Sequence, residues 1–292
     1  MKVRFELFIG IFLLFTCFLN AQDYLEEGEN MLRQGKISEA ESIFLEHPNN
    51  EKAREYLGDI ASFNKDWDTA IGYYEELLEE HPDNATYNFK TGGAMGMKAY
   101  YGSKFQAMLL IGDIKNNLRR AAELDKNHAE VRRALVELYV QLPGFIGGSD
   151  VLAESYASDL DRLNEIDALL ADGYIYRAKD YRDLAKSKFQ EALLLSRRKP
   201  ELITRNYMKY ELGEFSAIFE IELEQGEKLL KEYIEDYGYK DLKIPSWAYL
   251  RLAQIERVRN NREGAIAYIE KSLHLDPDFD KALEEKNKIN RM

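Results

Sequence analysis

The sequence predicts an all-α chain built as a right-handed superhelical solenoid of stacked antiparallel helix pairs, and three observations carry that expectation. Residues 51–84 place Leu57-Gly58, Ala70, Tyr74, Leu77 and Pro82 at the intervals of a 34-residue helix–turn–helix unit. Those intervals return along the chain: Gly28, Ala40 and Phe44; then Gly173, Ala185, Phe189 and Ala192; then Ala253, Ala265, Ile269, Ser272 and Pro277 within 246–279. No stretch alternates apolar and polar residues at the period of a strand, and helix-forming charged residues dominate. The small residue of the first helix and the alanine of the second are expected where the two backbones come closest. Larger side chains then fill the space around that contact, and proline ends the second helix because it cannot continue the hydrogen-bond ladder.

The segments follow in order. Lys2 and Arg4 precede an uncharged apolar run of 13 residues, Leu7 to Leu19, and Leu19-Asn20-Ala21 precedes Gln22. This reads as a signal peptide over 1–21, cleaved after Ala21. As a helix the run spans only about 20 Å, short of the roughly 30 Å of a hydrocarbon core, so no transmembrane span is expected after cleavage. A rival reading makes Cys17 a lipid anchor, although Leu14-Phe15-Thr16 lacks the small residue wanted before such a cysteine. Residues 22–279 are expected to form one helical repeat domain. Its first unit is shortened by Pro48, and its third, 85–128, is about ten residues too long. Unit 129–164 carries the loop Pro143-Gly144-Phe145-Ile146-Gly147-Gly148-Ser149, and unit 201–238 is the least regular. That makes about seven units. Residues 280–292, with Lys281, Glu284, Glu285, Lys286 and Lys288, suit a capping helix with one wet face.

The spacing of 51–84 and its recurrences resemble the tetratricopeptide repeat (TPR), and the resemblance covers essentially all of the chain after the leader. The middle also resembles a group of uncharacterised exported bacterial TPR proteins. The residues concerned are Ala121, Glu123, Leu124, Asp125, Asn127, Glu130, Arg132 and Leu135, followed by Pro143, Gly144, Gly147, Gly148 and Ser149. The resemblance implies protein or peptide binding on a concave surface lined by the first helix of each unit. Export, with a periplasmic location in a Gram-negative bacterium, completes that expectation.

Composition narrows the function classes. The net charge is −12, and removal of Lys2, Arg4 and Glu6 with the leader takes it to −13. An acidic surface argues against nucleic acid or anionic lipid as the main partner, because the phosphates of both need neutralising cations. Cys17 is the single cysteine, so a cleaved chain is held by packing without disulfides. The 144–149 loop lacks the Gly-Lys-Ser/Thr of a phosphate-binding loop, and Gly92-Gly93-Ala94-Met95-Gly96 lies in a helical repeat. Asp276, Asp278 and Asp280 alternate as in a calcium loop, but Lys281 stands where its glycine belongs and Asn287 where its glutamate belongs. His47, His81, His128 and His274 fall near the ends of second helices, about a repeat apart, too far to share a metal. No catalytic residue, cofactor or metal site is expected.

By the resemblance, the residues expected to meet a partner are Phe63, Glu137, Tyr174, Arg177, Trp247, Leu250 and Arg257, with Glu55, Asp59, Ser62, Val140, Gln141 and Gln254 beside them. Phe145 and Ile146 are apolar residues on a connection and are added as a loop contact. Aromatic and arginine residues are the usual anchors of binding energy. Trp247 has a competing role, packing on the preceding unit after Pro245. The apolar stretch Tyr100 to Ile111 is expected to pack internally. The favoured reading is an exported, non-enzymatic adaptor. The alternatives are a subunit of an envelope assembly or transport complex, and a small-molecule-binding protein or enzyme.

Overall fold

The computed structural model describes residues 24–292, so the expected leader and Cys17 lie outside the described residues. The described residues form fifteen α-helices and no strand. Two compact units divide the chain. Unit 1 runs through Asn117 and includes Gly238–Lys240; unit 2 holds Leu118–Tyr237 and Asp241–Met292. In unit 1, α1 (24–33) is followed by α2 (Ile37–Leu45), α3 (Glu51–Phe63), α4 (Trp67–Glu80) and α5 (Ala85–Tyr101). Helix α6 (Lys104–Leu124) begins in unit 1 and ends in unit 2. Unit 2 continues with α7 (Ala129–Gln141), α8 (Asp150–Leu160), α9 (Glu165–Ala178), α10 (Arg182–Arg198), α11 (Asn206–Phe219), α12 (Leu223–Glu235), α13 (Pro245–Val258), α14 (Arg262–Leu275) and α15 (Asp280–Ile289).

The repeat pattern becomes structure through two recurring contacts. In each of four pairs, a Cβ built on the first-helix glycine would lie about 2.4–2.5 Å from a side chain of the second helix: Gly28 against Phe44, Gly58 against Tyr74, Gly173 against Phe189 and Gly213 against Leu230. The glycine therefore seats a large side chain rather than the partner alanine, which corrects the expected arrangement. Ala40, Ala70 and Ala185 on three of these second helices are fully buried, as is Ala265 on α14. In the irregular unit, Gly226 takes the place of the alanine, with room only for the Ser216 hydroxyl against it.

The second recurring contact is the turn between helices. Gly35, Lys65, Asp180 and Asn260 all have φ between 59° and 72°, in the left-handed region. The next residue's N–H closes each turn on the helix before it: Lys36 to Met31, Asp66 to Ala61, Tyr181 to Tyr176 and Asn261 to Glu256, all at 2.9 Å. This is the hydrogen-bond pattern that satisfies helix-end carbonyls as the chain reverses. First helices start on asparagine where one is present. Asn50, Asn84 and Asn164 each accept from backbone N–H groups of the first turn.

The overlong third unit is explained by helix length. Helix α5 has 17 residues and α6 has 21, against 13 and 14 for α3 and α4. The extra turns flank Gly102-Ser103. There, Ser103 N–H donates to Gln106 Oε1 (2.9 Å) while Gln106 N–H donates to Ser103 Oγ (3.2 Å), a reciprocal capping box. The expectation of internal packing for Tyr100 to Ile111 is not met at its large residues. Tyr100, Tyr101, Phe105, Met108 and Leu109 are 52–69% exposed. They fall on a lengthened hairpin tip, where the helical period turns them to solvent.

The glycine loop is a connection built for a tight reversal. Residues Gly144–Ile146 make one 3-10 turn, Gly147 takes φ 99°, and Ser149 caps α8 by accepting from Leu152 N–H. A Cβ on Gly148 would strike the Leu142 carbonyl oxygen at 1.7 Å, so only glycine fits.

Candidate functional site

In unit 2, first helices of successive pairs lie side by side: α7 on α9, α11 on α13, and α13 on α15. Their facing charges build a connected network. Arg133 of α7 is buried and pairs with Glu211 of α11, with Glu137 one turn along its own helix (3.2 Å), and with the Asp167 carbonyl of α9 (3.4 Å). Arg205, just before α11, grips the fully buried Asp167 carboxylate through both guanidinium nitrogens at 3.0 and 2.7 Å. Burial pushes the Glu211 carboxyl up, and the Arg133 guanidinium pulls against that shift. Bidentate and charge-assisted bonds of this kind fix side-chain geometry as well as adding energy.

Above this network the structure brings three more of the expected contact residues together beside Glu137. Gln141 Nε2 donates to the Tyr174 hydroxyl (2.6 Å), and burial pushes the Tyr174 phenol up. The Arg177 guanidinium lies 5.2 Å from the Tyr174 ring and 5.3 Å from the Phe215 ring. Arg177 is exposed and has no carboxylate partner among the described residues. Glu137, Gln141, Tyr174 and Arg177 thus meet on α7 and α9, with Phe215 of α11 beneath. An unpaired cation stacked on two rings, beside an amide and a phenol, can receive a carboxylate and hydrogen-bond a peptide backbone.

The chain matches no protein-family model and no curated protein. Solved structures do resemble it. A tetratricopeptide-repeat protein from Parabacteroides merdae superposes with a TM-score of 0.51 at 13% identity, over 92% of this chain and 98% of that one. A chain of the APC/C hetero-tetramer Cut9–Hcn1 superposes with a TM-score of 0.53 at 16% identity, over 90% of this chain and 48% of that one. The chain has the tetratricopeptide-repeat fold.

The remaining expected contacts of this TPR chain fall elsewhere. Leu250 is 0% exposed, inside the cluster with Ala253, Ile269 and Ala282, and this corrects its assignment as a surface contact. It lies one turn from Gln254 on the same side of α13, and Ala265, Ile269 and Ala282 of α14 and α15 cover it. Trp247 rests on Phe279, 4.5 Å between ring centroids, under the ammonium groups of Lys243 and Lys281. It packs on both sides, forward onto Phe279 before α15 and backward against the cluster of Tyr210, Leu230 and Tyr233 from the preceding unit. Arg257 is held by Glu285, which also receives Gln254 and Lys288. Phe63 is half-buried at the end of α3, and Phe145 stands 89% exposed on the loop with Ile146 half-covered beside it.

In unit 1, Glu55 and Asp59 are already occupied. Lys90 of α5 donates to Glu55 (2.6 Å) and Asp59 (2.7 Å), and the Tyr74 hydroxyl donates to Asp59 (2.6 Å). Burial pushes Glu55 up, but Lys90 and Lys52 outweigh it and hold the carboxyl below its usual range.

Three histidines stand near second-helix ends, His47 stacked on Tyr24 at 3.5 Å. His128 instead opens α7 as its N-cap, so the fourth expected position is corrected. No cluster of three His, Cys, Asp or Glu able to hold a metal occurs among the described residues. A charged recess of about 220 Å³ is lined by Asp161, Glu165, Asp172, Lys188 and Arg198. That is below the roughly 300–1,000 Å³ usual for a small-molecule pocket.

The Arg133–Glu211–Asp167–Arg205 network escaped sequence reading, although a signal for it exists. Opposite charges on first helices about one repeat apart, such as Arg205 and Asp167 at a separation of 38, become neighbours when pairs stack.

Proposed function

We propose that this chain is an exported, non-enzymatic adaptor that binds a protein or peptide on the α7–α9 face of unit 2. The observation that carries the reading is Arg177, stacked between Tyr174 and Phe215 with no carboxylate of its own. The buried ion pairs beneath hold the neighbouring helices in register, so the face is preorganised and little order is lost when a peptide binds. A segment presenting a carboxylate, from Asp, Glu or a chain terminus, fits Arg177, and its backbone fits Gln141 and Tyr174. The apolar leader and the TPR fold support export and a role in binding; a periplasmic location belongs to the same proposal.

The test places a photo-crosslinking residue at Gln141 in living cells, with a second at Glu191 on α10 as control. The reading expects one abundant adduct from position 141 and none from 191. Arg177→Ala and Tyr174→Phe, both compatible with folding, should reduce that adduct by about tenfold. Equal capture from both positions, or capture indifferent to Arg177, would overturn it.

A further inference from the structure

The exposed tip between α5 and α6 carries chemistry that the adaptor reading leaves unused. Phe105, Met108, Leu109 and Gly112 recur at helical spacing along one exposed stripe of α6. Tyr100 and Tyr101 continue the patch across the capped turn, their rings 5.1 Å apart and edge to face. Trp67, at the start of α4, stacks on Tyr101 with centroids 6.2 Å apart. Trp67, Tyr100 and Tyr101 therefore form one ring cluster, and Phe105, Met108 and Leu109 form an exposed stripe that starts four residues after Tyr101. Exposed apolar surface of this kind marks a contact on a folded protein.

Charge indicates what covers it. The chain holds 52 acidic residues, yet none occurs between Asp83 and Asp113, a run that contains Lys90, Lys98 and Lys104. Around the tip, Lys65 lies 6.0 Å from the Tyr101 ring and Lys104 is exposed at the first position of α6, whereas Lys98 is paired with Asp68. Asp66 and Asp68 flank Trp67, but Asp66 caps α4 and Asp68 is paired with Lys98, and the acid-free stretch itself offers Lys104 beside aromatic and aliphatic groups. Trp and Tyr favour the boundary of a bilayer, where the ring is half-buried and the polar tip stays wet. Lysines beside such a patch meet lipid phosphates. We propose that this tip docks on an anionic lipid surface, with Tyr100, Tyr101, Phe105, Met108 and Leu109 entering the headgroup region and Lys65 and Lys104 meeting its phosphates. Among the described residues no helix is long and apolar enough to cross a membrane, so the contact is peripheral.

The test uses the chain from Gln22 to Met292, which contains every helix described and lacks the apolar leader. It is floated with vesicles of phosphatidylethanolamine and phosphatidylglycerol, and separately with phosphatidylcholine alone. Binding to the first and weak binding to the second are expected. Phe105→Ser with Met108→Ser and Leu109→Ser alters only exposed side chains and should weaken binding by about tenfold or more. Lys65→Glu with Lys104→Glu should remove the preference for anionic vesicles. Circular dichroism and a thermal melt confirm that both variants fold. Three results would overturn the proposal: no flotation with anionic vesicles, flotation unchanged in the triple variant, or a dimer by light scattering that the triple change abolishes while vesicles go unbound.

Discussion

Gly173 shows how much of this fold rests on single atoms. A Cβ there would lie 2.4 Å from the Phe189 ring, and that ring is pinned by Phe215 at 3.7 Å and Phe219 at 5.2 Å. The ring has nowhere to move, so Gly173→Val should destabilise the protein by about 2–3 kcal/mol in denaturant unfolding. Glu285 makes the pH argument. Burial pushes its carboxyl up, but Arg257 and Lys288 more than offset this and hold it below the ordinary range. An acid depressed in the folded state binds its proton more readily in the unfolded chain. Its stabilisation is therefore present above the ordinary glutamate value of about 4.3 and lost as pH falls through the lower folded value. The melting temperature should drop between about pH 5 and pH 3, and Glu285→Gln should flatten that dependence. A slope unchanged by the substitution would contradict the assignment.

At the scale of elements, caps and turns decide where each helix begins and ends. Asn164 accepts from Ile166 and Asp167 N–H while its amide donates to the Leu202 carbonyl (2.8 Å), so it ties α9 to the approach to α11. Asn164→Ala should cost about 2 kcal/mol, read from the denaturation midpoint. Asp180→Gly relieves a left-handed backbone at φ 61° and should stabilise by about 0.5–1 kcal/mol. The helix pairs were legible because their signal is local: the glycine and ring sixteen residues apart, as in Gly58 and Tyr74. Depth within a helix face was less legible. Leu250 and Gln254 lie one turn apart, yet one is core and the other faces Arg251 and Glu285. The tip at Tyr100 to Leu109 misled for a related reason. Large apolar residues signal burial only when a neighbouring element arrives to cover them, and the extra turns of α5 and α6 carry these beyond the regular repeat length. The Arg133 network was hidden because its members come from α7, α9 and α11, and only stacking makes them adjacent.

The molecule as a whole is acidic, with a net charge of −12, and its local exception is the lysine-bearing tip. It should leave duplex DNA and RNA unshifted in gel mobility at physiological salt, because its net field repels phosphates. The proposed partner face is instead a small region where a stacked, unpaired arginine meets an amide and a phenol. The most direct measurement is in-cell photo-crosslinking from Gln141, comparing the unaltered chain with Arg177→Ala. The account predicts one dominant adduct that falls by about tenfold in the folded variant. An adduct of undiminished yield, or none above that of the Glu191 control, would contradict it.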